Sequence, residues 1–330
     1  MPHPVVETRL GAIEGRFHDS TMVFRGIPYG TDTGGAGRLR HAGTATVQPR
    51  VATEIGPRAP QVVPEGRGPS FYSFLADPSP MSEDCLRLNV FAPRDADRPR
   101  PVMVWLHGGA WISGSGNRPC VHGSVLAERG DVVVVTLNHR LNAFGFTWDD
   151  TGASDPNAGM TDIVRALEWV RDNIAAFGGD PGCVTIFGQS GGGAKVSVLM
   201  AMPSAKGLFH RAIVQSASLH IDMAWPEGAI RCAELLYDEL GLAKGDRAAL
   251  AGVPMQAILE ARLRAVERNG GIDDFRPVID GTVLPCDPFS PEGLEKHRDI
   301  PLLIGSTKNE MSFFLGVEGE GGFDMAEARA

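Results

Sequence analysis

Three short runs, "RLNVFAP" (87–93), "PVMVWLHG" (101–108) and "DVVVVTLNHR" (131–140), are dense in Val and Leu and bounded by Pro, Gly and Asp. That is the pattern of β-strands. The last two are apolar almost throughout, which predicts cover on both faces, as in a mostly parallel sheet held between helices. Between residues 160 and 177, Ile163, Leu167, Val170, Ile174 and Phe177 recur at spacings of three and four, and Gly178-Gly179 follows them. This predicts an amphipathic helix and its stop. "CVTIFG" (183–188) then reads as a strand, "GGGAKVSVLMAM" after Ser190 as a mostly apolar helix ended by Pro203, and "RAIVQSAS" (211–218) as a further strand. Strand, turn, helix, strand is the rhythm of an α/β domain. The N-terminal runs "VVETRLGAIEGRF" and "MVFRGIPYG" alternate instead, predicting an antiparallel hairpin that leads into the main sheet. Residues 226–300 read as helices and loops, a cap over one edge of the sheet. No repeat or linker divides residues 1–330, so a single domain is expected.

Composition narrows the possible partners. The 330 residues are 43% apolar and 22% charged, with a formal charge of −9. Nucleic-acid binding is driven by clustered Lys and Arg, and no such run exists here, so a nucleic-acid partner is not expected. No apolar run approaches the roughly 20 residues that span a bilayer, and the start lacks a basic stretch followed by an apolar one. No membrane partner is therefore expected. Five scattered cysteines, Cys85, Cys120, Cys183, Cys232 and Cys286, form no CxxC pair. They fit reduced thiols in the cytoplasm better than a disulfide framework or a metal site.

The stretch "TIFGQSGGGAK" (185–195) sets one serine among glycines between the predicted strand and helix. Gly188-Gln189-Ser190-Gly191-Gly192 is a G-x-S-x-G motif in the context that makes it a nucleophile elbow. A phosphate loop is the competing reading of such a turn, but no GK[ST] follows and no G-x-G-x-x-G is completed. Upstream, "HGGAW" (107–111) follows directly on a strand, and its consecutive glycines leave backbone N–H groups free to face a cleft as an oxyanion hole.

With these motifs the sequence resembles the type-B carboxylesterases, α/β-hydrolases that include bacterial carboxylesterases and the cholinesterases. "FRGIPYG" (24–30), "SEDCLRLNVFAP" (82–93), "NIAAFGGDPGCVTIFGQSGGG" (173–193), "GLFHRAIVQSAS" (207–218) and "GSTKNEMSFF" (305–314) carry the likeness through nearly the whole chain. The resemblance implies an α/β-hydrolase fold, a small-molecule ester as substrate and no metal or cofactor. It makes Ser190 the acyl-forming nucleophile. Gly109, Ala110 and Gly191 become the oxyanion donors, with Gly108 shaping their turn. Glu310 becomes the acid that orients a histidine. It also implies that Glu83 pairs with Arg38 and that Ser216 is a supporting hydroxyl. The family's cysteine partner for Cys85 is replaced by Ala59 in "GPRAPQ", so Cys85 is expected to be unpaired.

One part of the pattern breaks. A serine hydroxyl needs a base, and in this fold the order is Ser, acid, His. Residues 311–330 contain no histidine. The expectation is a chain truncated at its C-terminal end, with the base and the last elements of the sheet beyond it. His107, His139 and His220 are the substitutes within the chain. Amide or thioester hydrolysis with the same machinery is a further alternative, and a non-catalytic binding module is the reading from a different class.

Overall fold

The computed structural model describes residues 3–47, 49–62, 76–95, 98–217 and 222–310. Its centre is an eight-stranded mixed sheet. In chain order the strands of the molecule are β1 (Val5–Thr8), β2 (Gly11–Glu14), β3 (Arg16–His18), β4 (Thr21–Pro28), β5 (Arg87–Pro93), β6 (Arg100–Leu106), β7 (Val133–Leu137), β8 (Gly179–Gln189), β9 (Arg211–Gln215) and β10 (Leu302–Gly305). Across the main sheet they lie as β10-β9-β8-β6-β7-β5-β4-β3. The run from β7 to β10 is parallel, and β5, β4 and β3 add on antiparallel.

The N-terminal hairpin differs in detail from its expectation. β1 and β2 pair with each other as a separate two-stranded sheet, with one further bridge from Glu14 to Val51, and a second hairpin, β3–β4, joins the main sheet. Gly15 lies between the two hairpins, where a Cβ would lie 2.6 Å from the Val23 carbonyl oxygen. The chain changes sheets where only glycine fits.

Helices cover both faces. α1 (Ser124–Gly130) packs on β4, β5 and β7, where Val23, Phe91, Ala127, Val132 and Val134 form a small core. α2 (Asn142–Phe146), α3 (Ala158–Asn173) and α4 (Gly191–Ala201) are on the side of the main core, to which β7 contributes Val133, Val135 and Leu137. The period-two alternation of a strand thus feeds two cores. β7 is buried along its length as expected. β6 is not: Val102, Val104 and Leu106 are buried, while Pro101 is exposed and Met103 and Trp105 are half-buried. An apolar run alone does not distinguish a strand with two covered faces from one whose outer face carries large, partly wetted side chains. The predicted stripe of α3 does hold, since Ile163, Leu167, Val170, Ile174 and Phe177 are all buried. Gly178, at φ 79°, ends the short 3-10 turn that extends the helix.

After β9 come α5 (Pro226–Glu239), α6 (Arg247–Ala251), α7 (Met255–Arg268) and α8 (Pro291–Lys296). α5 packs on α7, and α8 on α4.

Two ion pairs, one part-buried and one fully buried, bind the loops to this frame. Arg38 and Glu83 pair as expected, through Nη2–Oε1 at 2.5 Å and Nε–Oε2 at 2.7 Å, and Arg38 also donates to the Leu250 carbonyl. Arg140, just beyond β7, forms a two-pronged pair with Asp162 on α3 at 2.6 and 2.8 Å, and donates to the Arg40 carbonyl at 2.7 Å. Both members of that pair are sealed from solvent. Asp162→Asn keeps the shape and removes the countercharge, leaving a guanidinium in a dry site. The expected loss is about 3–5 kcal/mol, read as a lower urea midpoint at unchanged slope.

Candidate active site

The carboxyl ends of β6, β8, β9 and β10 lie side by side, because Leu106 is level with Gly188, Gln189 with Gln215, and Gln215 with Gly305. In open α/β sheets this edge is where ligands bind. Each of the six candidates stands beyond the end of one of these strands.

Ser190 is the single residue between β8 and α4. Its backbone is at φ 57°, ψ −128°, a region that costs a non-glycine residue about 1–3 kcal/mol. Its N–H donates to the Gln215 carbonyl at 2.8 Å and its carbonyl accepts from Ala194 at 3.1 Å, so the strained turn is pinned on both sides. No side chain caps α4, which leaves the first-turn amides of the helix, Gly191 among them, with the positive end of its dipole.

The loop after β6 meets this elbow at backbone contact. A Cβ on Gly192 would overlap the Leu106 carbonyl oxygen, and one on Gly191 would lie 2.5 Å from the Ala110 nitrogen. A Cβ on Gly108 would lie 2.9 Å from the Gln189 carbonyl oxygen and 3.5 Å from Ser190 Cβ. The Ala110 and Gly191 amides are thereby brought together beside the serine. Gly109 and Ala110 have φ of 102° and 52°. The Gly108 carbonyl accepts from His107 Nδ1 at 2.9 Å, and the Gly109 carbonyl accepts from the Ser113 N–H at 3.0 Å. In a trans peptide the N–H points opposite to its carbonyl. Holding these two carbonyls therefore aims the N–H groups of Gly109 and Ala110 the other way. Neither N–H has a hydrogen-bond partner among the described residues.

Glu310 lies beyond β10. Its carboxylate accepts from the Thr307 N–H at 2.7 Å. The Ser216 hydroxyl and this N–H hold its pKa below the usual carboxylate range. Ser216, at φ 52°, donates its own N–H to the Gly305 carbonyl at 2.8 Å. Serine, acid and supporting hydroxyl thus share one strand edge.

The substitute histidines do not join them. His107 and His139 stack on each other at 5.0 Å, fully buried, with Nδ1 on the Gly108 and Arg140 carbonyls. Burial, and then the charge of Lys195, hold both well below the usual imidazole pKa, and neither ring bonds to Ser190. His220 lies outside the described residues. Cys85 is buried and free, with Ala59 also buried.

One residue escaped the reading of the sequence. Lys195, on α4, is fully buried beneath the glycine loop, where Nζ donates to the Ala110 carbonyl at 2.7 Å and the His107 carbonyl at 3.1 Å. Burial and then the Arg118 charge push its pKa down to about 7. The signal was present: it is the one charge in an otherwise apolar helix.

A parallel strand, a strained serine and a helix, set against a glycine loop from the neighbouring strand, form the architecture of an α/β-hydrolase. The carboxylesterase family model matches residues 2–326. Over 321 residues, 95% of this chain, the sequence is 39% identical to the para-nitrobenzyl esterase of Bacillus subtilis (strain 168). It is 37% identical to the phenmedipham hydrolase of Pseudarthrobacter oxydans over 94% of the chain. The chain spans 64% and 62% of the lengths of these two proteins. A solved thermophilic pNB esterase superposes over 99% of this chain and 68% of its own, with a TM-score of 0.88 at 35% identity. The chain belongs to the carboxylesterase family.

Two outcomes follow from this geometry. Gly192→Ala drives a methyl group into the Leu106 carbonyl oxygen. The expected cost is about 3 kcal/mol or more, whereas Gly130→Ala, whose nearest neighbour would lie at 3.4 Å, leaves the urea midpoint within about 0.5 kcal/mol of wild type. The second concerns Lys195, whose folded pKa of about 7 lies below its ordinary 10.5. Between those values the unfolded chain binds more protons, so stability rises with pH across the window and the lysine costs most at pH 7 and below. Lys195→Met removes this dependence. The variant's unfolding free energy relative to wild type is expected to fall as pH rises from 7 to 10, with a slope of up to about 1.4 kcal/mol per pH unit, read from scanning calorimetry.

Proposed function

We propose that the protein is a serine hydrolase of carboxylic esters. In this reading Ser190 attacks the ester carbonyl. The N–H groups of Gly109, Ala110 and Gly191 hold the oxyanion while Gly108 shapes the loop, an acyl-enzyme forms on Ser190, and water releases the acid. Glu310 orients the general base, a histidine that follows it in the order Ser, acid, His. His107 and His139 each place Nδ1 on a backbone carbonyl in a buried stack away from Ser190, which disfavours either of them as that base. The observation that carries the reading is the pair of amides, Gly109 and Ala110, that have no partner among the described residues and are set against Gly191 beside a strained serine. Donors fixed in advance where negative charge develops are the largest single contribution to acyl-transfer catalysis. No step uses a cofactor.

The substrates proposed are small or aromatic esters, in keeping with the para-nitrobenzyl esterase relative. We read residues 1–330 as one hydrolase domain in which 226–300 form a helical cap. Five free cysteines support a cytoplasmic location.

The test is hydrolysis of p-nitrophenyl butyrate by the chain, by its Ser190→Ala variant and by a version extended through the downstream reading frame. Ser190→Ala is expected to abolish turnover to within about 10⁴-fold or more below the active form, and Glu310→Gln to lower kcat by about a thousandfold. Absence of turnover from every form, extended version included, would defeat the esterase reading in favour of a binding module.

A further inference from the structure

Lys195 is an expensive residue to place where it lies. Its side chain is fully buried, it has no ion-pair partner among the described residues, and the charged or titratable groups that face it are two neutral histidines, His107 and His139, and the cation Arg118. Trp111 lies beside it, with Nζ 5.2 Å from the ring centre. A methionine of similar volume would pack there without the desolvation cost, as buried charges replaced by apolar groups show in general. Within the fold, the lysine's bonding reaches only the carbonyls of His107 and Ala110. These flank Gly108 and Gly109, so the ammonium grips the loop at both of its ends.

The same helix supplies the opposing donor. Gly191 opens α4 and Lys195 lies one turn further on, so that a single rigid element carries one amide beside the serine and the clamp on the other two. We infer that Lys195 is a positioning residue of the oxyanion hole, which holds the Gly109 and Ala110 amides opposite Gly191 and sets a buried positive charge behind the developing oxyanion. The role rests on the ester-hydrolase reading and names the group that keeps its donors in place. A buried cation acts strongly at short range because little water screens it. Its charge is present below pH 7 and lost above, so its electrostatic share of the rate fades as pH rises.

The experiment compares wild type, Lys195→Met and Lys195→Gln, in whichever form of the protein hydrolyses p-nitrophenyl butyrate, by steady-state kinetics from pH 6 to 9 and by amide hydrogen exchange across residues 107–113. Lys195→Met is expected to lower kcat by about tenfold, less than loss of a direct donor, with KM changed by less than about twofold. The ratio of wild-type to variant kcat shrinks toward pH 9, and exchange across the loop rises. A merely structural lysine would change Tm but neither the kcat–KM split nor the pH dependence of that ratio. Lys195→Gln, which keeps a donor without the charge, is expected to recover part of the loop protection and none of the low-pH rate; it also carries the comparison if Lys195→Met melts below the assay temperature. Wild-type kcat and wild-type loop exchange in the variants would overturn the inference. Failure of the underlying reading looks different: no form turns over ester, yet loop exchange in Lys195→Met still rises and upholds the clamp, or does not rise and removes it.

Discussion

Between the carbonyl oxygen of Leu106 and the α-carbon of Gly192 there is no room for a methyl group, and the rest of the site follows from that contact. It exists because β6 and β8 are parallel neighbours whose ends are level at Leu106 and Gly188. Both chains must leave the sheet at the same height, one turning into the glycine loop and the other into α4. Packing them this closely brings the Ala110 amide against Gly191 and turns Ser190 out of the strand at φ 57°. A side chain at either glycine would part the loop from the helix, and the amides would no longer converge beside the serine.

The electrostatics of this edge are arranged in depth. The negative group, Glu310, stands beyond β10 with its charge held by the Ser216 hydroxyl and the Thr307 amide. On the opposite side, behind the glycine loop, the protein has gathered the positive end of α4, the buried Lys195 and two histidines kept neutral by burial. An anion forming between these two sides would be drawn toward the loop. The neighbouring Arg140–Asp162 pair fixes the backbone immediately after His139, so the layer beneath the loop is tied to α3 as well as to the sheet.

Much of this could be read from the sequence because it depends on local pattern. The strand-to-helix serine, the glycine loop and the stripe of α3 all follow from spacing or motif, and the unpaired Cys85 and the Arg38–Glu83 pair followed from family likeness. What escaped was tertiary. β6 looks as apolar as β7, yet Met103 and Trp105 are half-buried, since α1 packs chiefly on β4, β5 and β7. The two N-terminal hairpins split at Gly15 because of a close approach to Val23, which no alternation pattern records. His107 and His139 looked like available bases, but each spends its Nδ1 on a backbone carbonyl in a dry stack. Lys195 was the least legible, since a lone charge in an apolar helix signals an anomaly without naming its partners.

Several residues at this edge are locally unfavourable at once. Ser190, Ala110 and Ser216 all have positive φ, and Lys195 is buried without a countercharge among the described residues. Strain and desolvation on this scale persist only where the surroundings over-determine the conformation. Here the surroundings are the parallel strands from β6 to β10 and the apolar body of α4, whose side chains are buried from end to end. The stable part of the fold carries the strained part, and the strain is concentrated where the glycine-loop amides, Ser190 and Ser216 stand at the ends of the parallel strands. For the proposed hydrolase that distribution is what pre-organised catalysis would require, since a site relaxed into favourable backbone and apolar packing would give up the fixed geometry.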